Sequence, residues 1–349
     1  SVLVMEPSTG SIIYERNSHE KLHPASMTKM MTMLLIIESV EKGIINLDDM
    51  VTVSSNASSM GGSQILLETG EKMSVNDLLK GIAVASGNDA AVAMAEKIGG
   101  TEEAFVAMMN ERAKELGLND TNFKNVHGLD DVNHYSSAYD MAMIAKELVK
   151  HPKILEFTSI YEDYLRKGTD RAFWLVNTNK LVRFYDGVDG LKTGYTSEAG
   201  HCLTATANID GMRIIAVVMG EPDSNTRSSE VSSIFDYVYA QYALDKVVTK
   251  DTDLGEYDVD KGKVNKIKVA PIEDVTILHK KAEKMDNVTY DIEVDKLIAP
   301  INIGNLIGKL TLKQNGVVIK SVPLTVSENV SKANIFEVFW KNLKDTLSI

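Results

Sequence analysis

A serine hydroxyl held beside a basic side chain is the usual material of nucleophilic catalysis, and this chain offers several. A serine with a lysine three residues on occurs at Ser18 and Lys21, Ser26 and Lys29, and Ser39 and Lys42. Only the Ser26 copy opens a long run without Gly or Pro, rich in Met and Leu, that reaches Lys42 and stops at Gly43 as a buried helix does. At a helix start this spacing puts Lys29 one turn above Ser26. The positive end of the helix favours an emerging alkoxide there.

Two more polar patterns follow. Ser-x-Asn occurs at Ser54, Ser74, Ser86 and Ser327, but only Ser86-Gly87-Asn88 falls in a short break between two apolar helical stretches. Helix capping is the plain alternative for Ser86 and Asn88. Lys192-Thr193-Gly194 is the only Lys-Thr-Gly in the chain and follows Gly187-Val188-Asp189-Gly190-Leu191, which suits a short edge strand.

The elements that must hold these residues can be read from periodicity. Val2 to Met5 and Ser11 to Glu15 predict a hairpin around Pro7 and Gly10. Helical spacing runs over Val75 to Val84, Ala90 to Ile98, Glu102 to Leu116 and Ala138 to Val149. His201 to Asn208 and Met212 to Met219 predict a second hairpin across Ile209-Asp210-Gly211. From about Leu244 the pattern becomes short alternating stretches split by Gly, Asn and Asp, which predicts a separate all-β domain over 244–331 after a first domain over 1–243. After Ser331, Ile335, Phe336, Phe339, Trp340, Leu343 and Leu347 share one helical face, with Lys332, Lys341 and Lys344 available for the other. Residues 332–349 therefore predict an amphipathic helix, for a membrane surface or for packing on the second domain.

Composition narrows the function classes. With 349 residues, 44% of them hydrophobic, the chain can bury two cores. A net charge of -12 repels nucleic-acid phosphates, so no nucleic-acid partner is expected. Cys202 is the only cysteine, which rules out an intrachain disulfide, and no Cys/His spacing suits a structural zinc. Cys202 reads as a small buried side chain, His127 and His134 as structural, and the Met27 to Met33 stretch as core rather than a soft-metal face. No metal or cofactor is expected.

In this order the three patterns match the S-x-x-K, S-x-N and K-T-G signature of penicillin-binding proteins and serine β-lactamases. The chain resembles, over nearly its whole length, the low-molecular-mass D-alanyl-D-alanine carboxypeptidases, notably at Pro24-Ala25-Ser26-Met27-Thr28-Lys29, Ala85-Ser86-Gly87-Asn88-Asp89-Ala90, Asn125-Val126-His127-Gly128-Leu129 and Gly190-Leu191-Lys192-Thr193-Gly194. The resemblance implies an α+β fold: a β-lactamase-like catalytic domain of antiparallel sheet flanked by helices, a small sandwich-like β domain, and a C-terminal amphipathic helix.

It also implies roles. Ser26 would attack the peptide bond between two terminal D-alanines of a peptidoglycan stem peptide and form an acyl-enzyme that water releases. Lys29 would take the serine proton, which requires a neutral amine, and burial beside cationic Lys192 lowers its pKa in that direction. Ser86 would relay a proton to the leaving amine, Asn88 would hold the substrate carbonyl, and Lys192 would supply positive charge. Thr193 would bind the terminal carboxylate with help from Arg227, Gly194 would leave room for the backbone, and the N–H groups of Ser26 and Tyr195 would form the oxyanion hole. Tyr195 departs from the histidine common at its position. β-Lactam antibiotics would acylate the same serine. An exported protein on the extracytoplasmic face of a bacterial membrane, its signal peptide removed, follows from the substrate's location.

Two other readings remain. Glu115-Leu116-Gly117-Leu118-Asn119 fits the E-x-x-L-N pattern that activates deacylating water in one β-lactamase class, although Gly117 ends a surface-like helix there. An inactive peptide-binding scaffold of the cell envelope would need none of the three motifs.

Overall fold

The structure is a computed structural model and describes residues 1–283 and 285–334. Most of the predicted amphipathic helix over 332–349 lies outside the described residues. Contacts divide the chain after Ala240 into two units.

In the first unit, β1 (Val2–Glu6) is wholly buried and pairs with β2 (Ser11–Arg16) across the Pro7 to Gly10 turn. Ala25–Thr28 wind as a tight 3-10 turn into α1 (Lys29–Glu41), whose residues from Lys29 to Ser39 are all buried. A helix apolar on every side must sit inside a core, and Met30, Met31, Met33, Leu34, Ile36 and Ile37 are fully covered. Each such side chain contributes about 1.5–3 kcal/mol over its exposed state.

Short strands β3 (Met50–Thr52) and β4 (Lys72–Ser74) pair around α2 (Ser55–Ser58). Then α3 (Val75–Ala85), α4 (Asn88–Gly99), α5 (Glu102–Glu115) and α6 (Ala138–Leu148) follow. Ser74, Thr101 and Ser137 cap α3, α5 and α6 by accepting from backbone N–H groups of the first turn. After α7 (Pro152–Thr158), the hairpin of β5 (Glu162–Leu165) and β6 (Phe173–Val176) and the short α8 (Leu181–Phe184) lead into β7 (Val188–Thr196), β8 (Gly200–Ile209) and β9 (Met212–Glu221).

The central sheet is antiparallel with order β2-β1-β9-β8-β7, leaving β7 at an edge. Asp210 (φ 51°) and Gly211 (φ 82°) both take left-handed conformations in the two-residue turn that joins β8 to β9. One continuous core joins Leu3 and Met5 of β1, α1, Ile82 of α3, Val92 of α4, Ile144 of α6 and Ile215 and Val217 of β9. The 18-residue helix α9 (Ser224–Gln241) closes the unit. Periodicity missed it, because its first half, Ser224 to Ser233, is rich in Ser, Asn and Thr and reads as loop.

The second unit is β-rich. In it β10 (Tyr242–Val248) pairs with β13 (Val275–Lys280), while β11 (Glu256–Asp260), β12 (Lys266–Pro271), β14 (Val288–Val294), β15 (Leu297–Ile298), β16 (Gly308–Gln314) and β17 (Val317–Val326) form a six-stranded sheet. Val248, Val275 and Ile277 of the small sheet share one core with Ile267, Leu310, Leu312, Val322 and Leu324 of the large one, as in a sandwich. Strands β10, β11 and β15 were not legible in advance: β10 alternates weakly, β11 alternates over only five residues and β15 has two. The expected pattern change at Leu244 falls inside β10.

The turn Asn125–Leu129, between α5 and α6, locks onto the start of α1. Val126 O accepts from Thr32 Oγ1 at 2.7 Å, and a Cβ on Gly128 (φ 91°) would collide with the Ala25 carbonyl. Gly128→Ala should therefore cost both left-handed strain and overpacking, roughly 2–4 kcal/mol together. Urea denaturation checks this, and an unchanged midpoint would contradict it.

Candidate active site

The chain enters α1 more tightly than the sequence predicts. Ala25 is left-handed (φ 47°), so Ser26 occupies a 3-10 turn and the α-helix proper starts at Lys29, with Thr28 at its N-cap. The preceding Pro24, which has no N–H to give to a helix, and the inverted backbone of Ala25 shorten the helix expected from Ser26. The three-residue spacing survives this change. Lys29 Nζ lies 3.0 Å from Ser26 Oγ and donates to His127 O at 2.7 Å.

Lys29 has no exposed surface. Burial is the main force holding its amine well below the ordinary lysine value, and the charge of Lys192 pushes the same way, against a smaller opposing pull from Asp89. Lys192, on β7, is equally buried, and its Nζ donates to Thr193 O at 3.0 Å. Burial and then the charge of Arg227 push its amine down to about 7. Arg227, from the first turns of α9, is itself buried, and that burial lowers its pKa. Three basic side chains thus act on one another in a protein with a net charge of -12.

Ser86 is the C-cap of α3 in a left-handed conformation (φ 63°), and Gly87 then starts α4 at Asn88. This two-residue break turns polar side chains out of the apolar helical pair. Asn88 Nδ2 donates to Gly61 O at 2.7 Å, and its backbone N–H donates to Ser63 O at 2.7 Å. The buried Asp89 carboxylate accepts from the N–H groups of Ile65, Leu67 and Ala90 at 2.9–3.1 Å, pinning segment 61–67 to the positive end of α4. Ser86 Oγ, Asn88 Oδ1 and Arg227 Nε are buried without a hydrogen-bond partner among the described residues. Buried polar atoms are usually satisfied, so three such atoms in one region mark it as built for a guest.

Along β7, Thr193 Oγ1 donates to Thr178 Oγ1 at 2.7 Å. A Cβ on Gly194 would lie 2.8 Å from Pro24 O, so only glycine lets this strand pass so close to the Ser26 turn. Tyr195 is exposed and stacks on His201 with centroids 4.3 Å apart. These elements enclose a cleft of about 550 Å³ lined by Ser26, Ser86, Thr193, Gly194, Tyr195 and Arg227. Lys29, Asn88 and Lys192 are buried and not part of its lining.

Ser63, Thr178, Lys180 and Phe184 also line the cleft and were not singled out from the sequence; Thr178 sits between two buried asparagines, Asn177 and Asn179, and that polar cluster is the signal that could have found it. The competing copies fall elsewhere. Ser18 hydrogen-bonds Glu15, Ser39 bonds back to Leu35 O, and Ser54 caps α2. Glu115 is exposed at the end of α5, paired with Arg112 at 3.0 Å, and does not line the cleft. Cys202 is buried, and its thiol is pushed up to about 11 by that burial. His134 is held by Thr28 Oγ1 at 2.7 Å and by the Lys124 N–H. Among the described residues only Glu38, Glu147 and His151 lie close enough to share a cation, and Arg112 already bridges both carboxylates.

Comparison with known proteins accords with this geometry. A family described as D-alanyl-D-alanine carboxypeptidase matches residues 1–223, and one described as the C-terminal domain of penicillin-binding protein 5 matches residues 242–332. The chain is similar to the D-alanyl-D-alanine carboxypeptidase DacF of Bacillus subtilis, 49% identical over 99% of this chain and 89% of that protein. It is also similar to the crystal structure of penicillin-binding protein 5 from Haemophilus influenzae, 34% identical with a TM-score of 0.76 over 95% of this chain and 97% of that one. Penicillin-binding protein D2 of Listeria monocytogenes, solved in an ampicillin-bound form, matches 68% of this chain and 96% of its own, at 29% identity and a TM-score of 0.61.

Proposed function

Because the chain belongs to the D-alanyl-D-alanine carboxypeptidase family, and is therefore a serine peptidase, we propose that Ser26 is its nucleophile and Lys29 the base that activates it. The observation that carries this reading is the Lys29 amine, wholly buried, held well below its ordinary pKa and 3.0 Å from Ser26 Oγ. A neutral amine accepts the serine proton as Oγ attacks the carbonyl of the penultimate D-alanine of a stem pentapeptide. The C–N bond of the tetrahedral intermediate then breaks. Ser86 Oγ passes a proton to the leaving D-alanine amine, and water hydrolyses the acyl-enzyme. The backbone N–H groups of Ser26 and Tyr195 hold the oxyanion, each such donor being worth roughly 3–4 kcal/mol.

Asn88 orients the substrate amide. Thr193 and Arg227, with the field of Lys192, hold the terminal carboxylate, and Gly194 gives the peptide backbone room. The electropositive cleft supports this assignment, since a carboxylate leaving water needs charge-assisted donors in return. A β-lactam carries a carboxylate and a strained amide and would acylate the same serine.

In the same reading the first unit carries catalysis, the β-rich unit is a spacer, and 332–349 contacts a membrane surface on the extracytoplasmic face. No helix among the described residues is long and apolar enough to cross a membrane.

Intact-mass measurement after mixing with benzylpenicillin should give a single adduct that persists for minutes or longer on the parent and none on Ser26→Ala, with D-alanine released from diacetyl-lysyl-D-alanyl-D-alanine by the parent only. Transient acylation with the antibiotic consumed would instead identify a β-lactamase, and no adduct an inactive scaffold.

The pH profile of acylation should be bell-shaped. Rate rises as Lys29 loses its proton and falls as Lys192, titrating at about 7, loses its charge. Lys192→Arg, whose charge does not titrate in this range, should move the falling limb to higher pH. A limb left in place would assign it to another group.

A further inference from the structure

Asn125 lines no part of the cleft and touches no reacting atom in the scheme above. Its side chain closes the turn Asn125–Leu129 from both ends. Oδ1 accepts from the Gly128 N–H at 2.6 Å and the His127 N–H at 3.3 Å, and Nδ2 donates to Leu129 O at 2.9 Å. The closed turn presents successive carbonyls to α1, Val126 O to Thr32 Oγ1 and His127 O to Lys29 Nζ, each at 2.7 Å. Gly128 meanwhile packs against Ala25, the residue before the nucleophile.

A neutral lysine amine has two N–H bonds and one lone pair, so a base needs that lone pair aimed. An N–H committed to the His127 carbonyl keeps that tetrahedral position from the lone pair and leaves it two, one of which faces Ser26 Oγ, 3.0 Å away. We propose that Asn125 is a positioning residue of the peptidase reaction, fixing the His127 carbonyl and through it the direction of the Lys29 lone pair. The inference rests on Lys29 acting as the base.

The charged and titratable groups that face Lys29 are Lys192 of β7, Asp89 of α4 and the His127 ring. That ring stays neutral: its Nδ1 accepts from the Leu129 N–H at 3.2 Å, and burial lowers its pKa to about 3. It brings no positive charge beside the amine at working pH, so what the turn offers Lys29 is the carbonyl dipole.

Saturation kinetics of acylation by benzylpenicillin, across pH, on the full chain and its variants tests this. Asn125→Ala should lower the limiting acylation rate about 10- to 100-fold, the effect of a misplaced catalytic group, while penicillin's apparent dissociation constant stays within about twofold. Its acid limb should move to higher pH, because a loosened turn admits water beside Lys29 and burial then depresses the amine less. Asn125→Asp, which keeps both acceptor bonds, should recover most of the limiting rate. Asn125→Gln, whose amide is displaced by one methylene, should reproduce the limb shift and serves if the alanine variant does not fold. An acid limb that stays in place, or a loss expressed only in the dissociation constant, overturns the inference while the parent acylates normally. A parent that takes up no penicillin overturns the functional reading and this inference with it.

Discussion

The burial of one amine sets the terms for the rest of this molecule. Lys29 opens a helix that is buried on every side as far as Ser39, and its amine lies within hydrogen-bond distance of two oxygens, Ser26 Oγ and His127 O. A charged ammonium there would forfeit its hydration, so the neutral form is favoured and its lone pair becomes available to a hydroxyl. The elements around it keep that condition. The 3-10 entry brings Ser26 back over Lys29, β7 passes within a glycine's width of that entry, and the Asn125–Leu129 turn seals the far side. Left-handed Ala25 and Gly128 are where the backbone bends to do so.

The same burial acts on a second scale. The charge of Arg227 lowers the affinity of Lys192 for a proton, and Lys192 does the same to Lys29. Cations held together at a cost in a protein of net charge -12 are poised for an incoming carboxylate. In the proposed reading, a carboxylate bound there would favour the charged form of Lys192. Stability is spent here on readiness, as at other sites where buried charge is kept for function.

The three motifs were legible because each is fixed by covalent spacing at an element junction: a turn into a helix, a break between helices, an edge strand. Their companions were not, because they join the site only through the fold. His127 O reaches Lys29 across 98 positions of sequence, through a carbonyl whose position owes nothing to the histidine side chain. Asp89 acts by accepting backbone N–H groups from 22 to 24 positions away, and Thr178 reaches the site by a hydroxyl pair with Thr193. Sequence periodicity recovered the long helices α3 to α6 of the first unit because their apolar residues recur at helical spacing in runs free of serine clusters. It lost α9, whose Ser-, Asn- and Thr-rich first half reads as loop, and strands of the β-rich unit that are short or alternate weakly. The left-handed Ala25 that shortens α1 has no signature in residue type, since alanine ordinarily extends a helix.

The central claim, that Lys29 is a neutral base at working pH, is tested most directly by NMR titration of the protein with isotope-labelled lysine side chains, the Lys29 resonance being assigned by its loss in Lys29→Gln. The account predicts side-chain carbon and nitrogen shifts of a free amine at pH 7, with protonation only well below the ordinary value of 10.5. A Lys29 resonance that stays protonated until about pH 10 would contradict it and transfer the role of base to another group.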